Sequence, residues 1–135
     1  MGLCKWVETR SWRAYRRGWI AIHASHGLPR DWRIWQNREP FRYLLRTLEA
    51  PDVAALPRGG IVAVGMLMSC VPTQQVRSTL TDTEVSWGDY RSGHYAFTFG
   101  PILRLERPVP CRGNQGFWGI WAELAADILE VVPDA

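Results

Sequence analysis

The run from Gly60 to Val71 constrains this chain more than any other stretch. It is apolar throughout except for Ser69, and it opens on the turn sequence Pro57-Arg58-Gly59-Gly60. Residues this β-branched and this short of polar groups predict a strand over Ile61 to Cys70, covered on both faces. The run falls well short of the roughly 20 residues a spanning helix needs, so it reads as a core strand and not as a membrane span. A length of 135 residues allows that without disulfide or metal staples. Hydrophobic residues at 47% and charged residues at 21% exclude a disordered chain. A fibre, a repeat array and a small disulfide scaffold are excluded as well.

The covering elements can be placed by period. Lys5 to Arg10 predicts a short strand, with Trp6, Glu8 and Arg10 on one face and Lys5, Val7 and Thr9 on the other. A polar, Arg-rich loop follows to Gly18, then a strand over Trp19 to Ala24. Phe41, Leu44, Leu45 and Leu48 recur at helical spacing and predict a helix over Arg38 to Leu48, closed by Ala50-Pro51. Gln74 to Gly93 reads as one long loop. Tyr95 to Phe99 and Ile102 to Arg107 read as two strands joined through Gly100-Pro101, followed by a loop over Pro108 to Gly116. Leu124, Ile128 and Val131 or Val132 form the apolar stripe of a helix over Trp121 to Val132. Several short strands with two helices predict an α+β fold built around a small β-barrel.

Charge is distributed unevenly. Residues 1–46 carry ten basic groups against three acids, residues 47–112 are balanced, and residues 113–135 carry four acids and no base. The only lysine among the 16 basic groups is Lys5. A basic front and an acidic tail suit either a phosphate-facing side with a solvated one, or two solvated faces. Cys4, Cys70 and Cys111 are odd in number and widely spaced, so they form neither a disulfide framework nor a zinc pattern. The expectation is a reducing cytoplasm, no metal and no cofactor. No signal peptide and no membrane span are expected.

Four ordered segments carry a resemblance. They are Lys5-x-x-Glu8-x-Arg10 with Ser11-Trp12 and Tyr15-Arg16-Arg17-Gly18 behind it, Ile22-His23-Ala24-Ser25, Leu56 to Gly65, and Trp87 to Tyr90 leading into His94 to Phe99 and Pro108 to Trp118. Together they resemble the ASCH domain, a relative of the PUA RNA-binding fold, over roughly residues 5–120. The resemblance implies a single domain over residues 1–135 with a PUA-like small β-barrel and flanking helices. It implies a cleft for RNA or a nucleotide-like ligand, and in some small members hydrolysis of the amide of N4-acylated cytidine. Family members usually carry a strand and a helix before the motif, whereas four residues precede Lys5 here, and Leu3 stands where Gly is usual. The expected consequence is an open sheet edge through which two copies could pair as a homodimer.

Candidate residues follow. For chemistry they are Lys5, Glu8 and Glu84. Lys5 and Glu8 face opposite ways in an ideal strand, so they meet only across a bend. They serve either as a base or oxyanion stabiliser with a carboxylate partner, or as a structural ion pair of Glu8 with Arg10 or Lys5. For ligand contact the candidates are Arg10, Trp12, Arg16, Arg17, Ser25, Arg112, Gly113 and Gln115. Rings interleaved with guanidinium groups stack bases and bind phosphates, or else make a solvated loop with Trp12 tucked onto the sheet. The glycine-framed loop Arg112-Gly113-Asn114-Gln115-Gly116 approaches a phosphate through backbone N–H groups, or is only a turn. His23 on its apolar strand reads as a satisfied core histidine. Three functions remain open: an RNA- or nucleotide-binding module, a small amidohydrolase for acylated cytidine, and a protein-interaction domain with a Trp-rich face.

Overall fold

A computed structural model describes residues 7–39 and 41–133. The fold is α+β. Strands β1 (Val7–Arg10), β2 (Gly18–Ala24), β3 (Gly60–Pro72) and β4 (Tyr95–Pro110) form one antiparallel sheet in the order β1-β4-β3-β2. The sheet is open, with β1 and β2 as its edges. Helices α1 (Trp32–Trp35), α2 (Phe41–Thr47), α3 (Asp82–Ser86) and α4 (Ala122–Val131) lie between and after the strands. Among the described residues no helix is long and apolar enough to cross a membrane.

The chain divides into two compact units. Unit 1 comprises residues 1–20 and 65–101, and unit 2 comprises residues 21–64 and 102–135. In unit 1, β1 pairs antiparallel with β4, Val7 opposite Thr98 and Arg10 opposite Tyr95. Alternation puts Val7 and Thr9 on one face, as the sequence pattern predicts, and the structure shows that face to be the inward one, with Glu8 half-buried and Arg10 exposed. Val7 packs with Tyr90 and Ala96, and Val76, Leu80 and Val85 close over them. A second cluster joins Ala14, Leu67, Cys70 and Phe97, so Cys70 is the small core residue its apolar surroundings predict.

Unit 2 is organised by α4. Leu124, Ile128 and Val131 are buried at i, i+4 and i+7 and pack on Ile61, Leu105 and Val109. Glu123, Asp127 and Glu130 stay exposed on the remaining face. At Gly60 the backbone of β4 comes close to β3: a Cβ placed there would lie 2.4 Å from the Val109 carbonyl oxygen. Only glycine permits that approach.

Four expectations are corrected. The helix predicted over Arg38 to Leu48 is shorter, and Leu48 is 48% exposed beyond its last residue. Strand β3 is not covered on both faces throughout, since Met68 is 60% exposed. Gly100-Pro101 does not break the chain, and β4 runs through it for 16 residues, ending at Pro110 inside the predicted loop. Proline costs a strand only where its missing N–H is needed, and Pro101 sits at an exposed position. The stretch from Gln74 to Gly93 is not one loop: it holds 3-10 turns at Thr73–Gln75 and Arg77–Thr79 and helix α3. Thr81 caps α3 by accepting from the Glu84 amide, so the Thr81-x-x-Glu84 spacing is a helix-start signal that the polar composition masks.

Candidate ligand-binding site

Unit 2 contains an open cleft of about 530 Å³, within the range of small-ligand sites. It is lined by His23, Ser25, His26, Gly59, Cys111, Arg112, Gly113, Asn114 and Gln115. Three chain segments distant in sequence build it. Strand β2 delivers His23, with Ser25 and His26 just beyond its end. The turn before β3 delivers Gly59, and the segment after β4 delivers residues 111–115. Backbone bonds lock them together: the Gly59 amide donates to the Ala24 carbonyl at 2.8 Å, and the Cys111 amide donates to the Gly59 carbonyl at 3.2 Å. Gly59 has a φ of +76°, the left-handed conformation that glycine tolerates best. Arg58 donates to the His26 carbonyl at 2.6 Å and ties the Ser25–His26 bend to the same turn.

His23 fixes the far wall. Its Nε2 lies 2.8 Å from the Cys111 carbonyl oxygen, and its ring meets Trp118 edge-on at 6.1 Å. A Cβ on Gly113 would come within 2.5 Å of the imidazole, so the 112–115 loop closes on the ring only because residue 113 is glycine. His23 is thus satisfied, as predicted, yet half-buried and part of the cleft rather than of the core. Burial pushes the Cys111 thiol up from its ordinary value, although a backbone bond involving Ile61 acts against this, so the group contributes no charge at neutral pH. No carboxylate belongs to the lining, whereas Arg112, two imidazoles, a hydroxyl and two carboxamides do. Of the residues predicted for ligand contact, Ser25, Arg112, Gly113 and Gln115 meet here. Asn114 joins them from within the same glycine-framed loop, and His26 joins without having been predicted, its position beside Ser25 being the available signal.

The other candidates belong to unit 1. Lys5 lies outside the described residues. Arg10 donates to the Glu8 carboxylate at 2.5 Å and to the Thr9 carbonyl at 3.0 Å, an ion pair that matches the structural one of the two alternatives left open for Glu8. Glu84 accepts from the Val7 amide at 2.9 Å, so it ties α3 to the start of β1. Trp12 is tucked edge-on against Phe97 at 5.0 Å. Arg17 turns back on its own loop and donates to the carbonyls of Ala14 and Arg16. Arg16 is exposed.

The Trp87–Tyr90 segment docks on β1 through the Asp89 amide, which donates to the Thr9 hydroxyl at 2.8 Å. Asp89 binds Arg91 through both carboxylate oxygens, which holds its carboxyl down at about 2. Tyr90 is 5% exposed, and among the described residues its hydroxyl has no hydrogen-bond partner. Burial, with the Glu84 and Glu8 charges adding to it, pushes this phenol from 10.0 up to about 12. A raised folded value means stability that is complete below pH 10 and lost as pH climbs through about 12. Absorbance titration is expected to show a phenolate forming near pH 12 that is missing in Tyr90→Phe. That variant should unfold at the same denaturant concentration as the parent or slightly later, because it removes a buried hydroxyl that bonds to nothing described. A marked loss of stability would contradict this account of Tyr90.

No protein-family model matches the sequence, and no curated protein matches it.

Proposed function

We propose that this protein is an ASCH-like nucleotide- or RNA-binding module whose ligand places a phosphate in the unit 2 cleft. One observation carries the reading. Three segments separately singled out by the resemblance, Ile22 to Ser25, Leu56 to Gly65 and Pro108 to Trp118, supply all but His26 of the lining of one cleft without a carboxylate. A phosphate needs charge-assisted donors and an absence of competing acids. Arg112 meets the first need with a planar fork of N–H groups, and the 112–115 loop adds small, glycine-opened backbone. The His23 ring, held edge-on by Trp118, gives the cleft an aromatic flank for a base or sugar. A PUA-like fold is the finer form of this proposal. Strand β4 contributes Ala96 and Phe97 to unit 1 cores and Leu105 and Val109 to the unit 2 core, and strands of such length suit a coiled small sheet.

Hydrolysis of acylated cytidine gains no comparable support. Lys5 is outside the described residues, and Glu84 already accepts a structural bond from Val7.

The reading predicts a difference between a nucleoside and its 5′-monophosphate. In calorimetric titration at low salt the monophosphate should bind and the nucleoside should bind far more weakly. Added salt should weaken the monophosphate, since screening acts on the charged contact. Equal binding of both, or of neither, would refute a phosphate site.

A further inference from the structure

The loop over residues 11–17 is held by some of its side chains and presents the others. Trp12 packs edge-on against Phe97. Ala14 is 2% exposed, and its amide donates to the Cys70 thiol at 3.3 Å. Arg17 donates to the Ala14 carbonyl at 3.2 Å and the Arg16 carbonyl at 2.8 Å, bracing the turn from within. Between these anchors Tyr15 stands out at 87% exposure, the highest among the exposed large hydrophobic residues described. The Arg13 guanidinium lies 5.8 Å from its ring centroid, and Arg16 is exposed on its other side in sequence. Residues 11–17 contain no acid.

An aromatic ring held in water by an otherwise anchored loop gains nothing for folding, since leaving it exposed forgoes its burial. It does offer a flat face at low ordering cost. We propose that the 11–17 loop is a stacking platform for single-stranded nucleic acid, on which Tyr15 takes an unpaired base and Arg13 and Arg16 take neighbouring phosphates. The chemistry selects single strands, because bases already stacked and paired in a duplex offer no free face to a ring. It goes beyond the phosphate cleft of unit 2 and uses none of its residues.

The test is fluorescence anisotropy with labelled oligouridylate, oligothymidylate and a blunt RNA duplex, on the parent chain and on Tyr15→Ala, Tyr15→Phe and Arg13→Gln/Arg16→Gln. Tyr15→Ala should weaken both single strands about tenfold, the size of one base–ring stack, while Tyr15→Phe stays near the parent. The double Arg variant should flatten the salt dependence by about 0.7 for each phosphate it no longer neutralises. Matching losses on both single strands indicate stacking chemistry common to RNA and DNA, and a loss on oligouridylate alone indicates a preference for RNA. Tyr15→Ala binding single strands as the parent does would overturn the platform, as would equal losses on the duplex. Failure of the parent to bind any single strand would overturn it too. Titration of the same variants with a nucleoside monophosphate reports on the cleft separately: it should be unchanged in Tyr15→Ala, and its failure in the parent would count against the cleft and not the loop.

Discussion

Gly60→Ala should lower stability by about 3 kcal/mol, at or beyond the upper end of ordinary overpacking. The new methyl would sit 2.4 Å from the Val109 oxygen, 2.9 Å from the Val109 carbonyl carbon and 3.1 Å from Pro110 Cα. All three are backbone atoms of β4, so no side-chain rotation relieves the clash, and the two strands must separate. Separation strains the Cys111–Gly59 backbone bond and loosens Ile61 and Val109 in the core beneath α4. A melting temperature roughly 10 °C lower is expected. Gly27→Ala is the control, because a Cβ there meets nothing within 4 Å and the φ carries no penalty. Its melting point should match the parent. Equal melting points for Gly60→Ala and Gly27→Ala would show that the close approach of β3 and β4 does not exist in solution. Since Gly59 and Cys111 line the cleft, Gly60→Ala should also weaken ligand binding at temperatures where it remains folded.

Arg112→Gln should reduce affinity for a nucleoside monophosphate about thirtyfold, or ~2 kcal/mol, the range of a charge-assisted hydrogen bond replaced by a neutral one. Arg112 is exposed, so thermal stability should not change. Arg112→Lys keeps the charge and loses the fork, and should fall between the two. The salt dependence of binding should flatten in Arg112→Gln and persist in Arg112→Lys. A thirtyfold loss accompanied by a large fall in melting temperature would instead make Arg112 structural.

Much of the fold is legible where a period is unambiguous. Leu124, Ile128 and Val131 declare α4 because three buried positions fall on one helical stripe with acids between them. Alternation separates Val7 and Thr9 from Glu8 and Arg10 in β1, and burial then marks the first pair as the inward face. Local signals mislead where tertiary context overrides them. Gly100-Pro101 is a turn dipeptide in isolation, yet within β4 the proline faces outward and glycine accommodates Met68, whose Cγ would lie 3.3 Å from a Cβ at residue 100. Helix α3 spans five residues, too few for periodicity, and only its Thr81–Glu84 cap betrays it.

The candidate site is legible in pieces. Ser25, Arg112, Gly113 and Gln115 can each be named from sequence, but nothing local joins the end of β2 to a loop some 90 residues later. That junction depends on Gly59 adopting a positive φ and on Gly113 letting its loop close on His23. His23 itself reads as core because a histidine on an apolar strand looks the same whether its far edge meets packing or a cleft. Glu84 reads as a chemical group and instead anchors β1, since a carboxylate and an unpaired strand amide satisfy each other wherever the fold brings them together.

On our proposal a phosphate-bearing nucleotide occupies the His23–Arg112 cleft. Amide and imidazole NMR shifts, followed while a nucleoside monophosphate is added at low salt, report on that occupancy residue by residue. Saturable shifts should concentrate at Arg112, Gly113, Asn114 and Gln115 and at the rings of His23 and His26, with Arg112→Gln suppressing them. Saturable shifts confined to residues outside the cleft lining, or none at all, would contradict it.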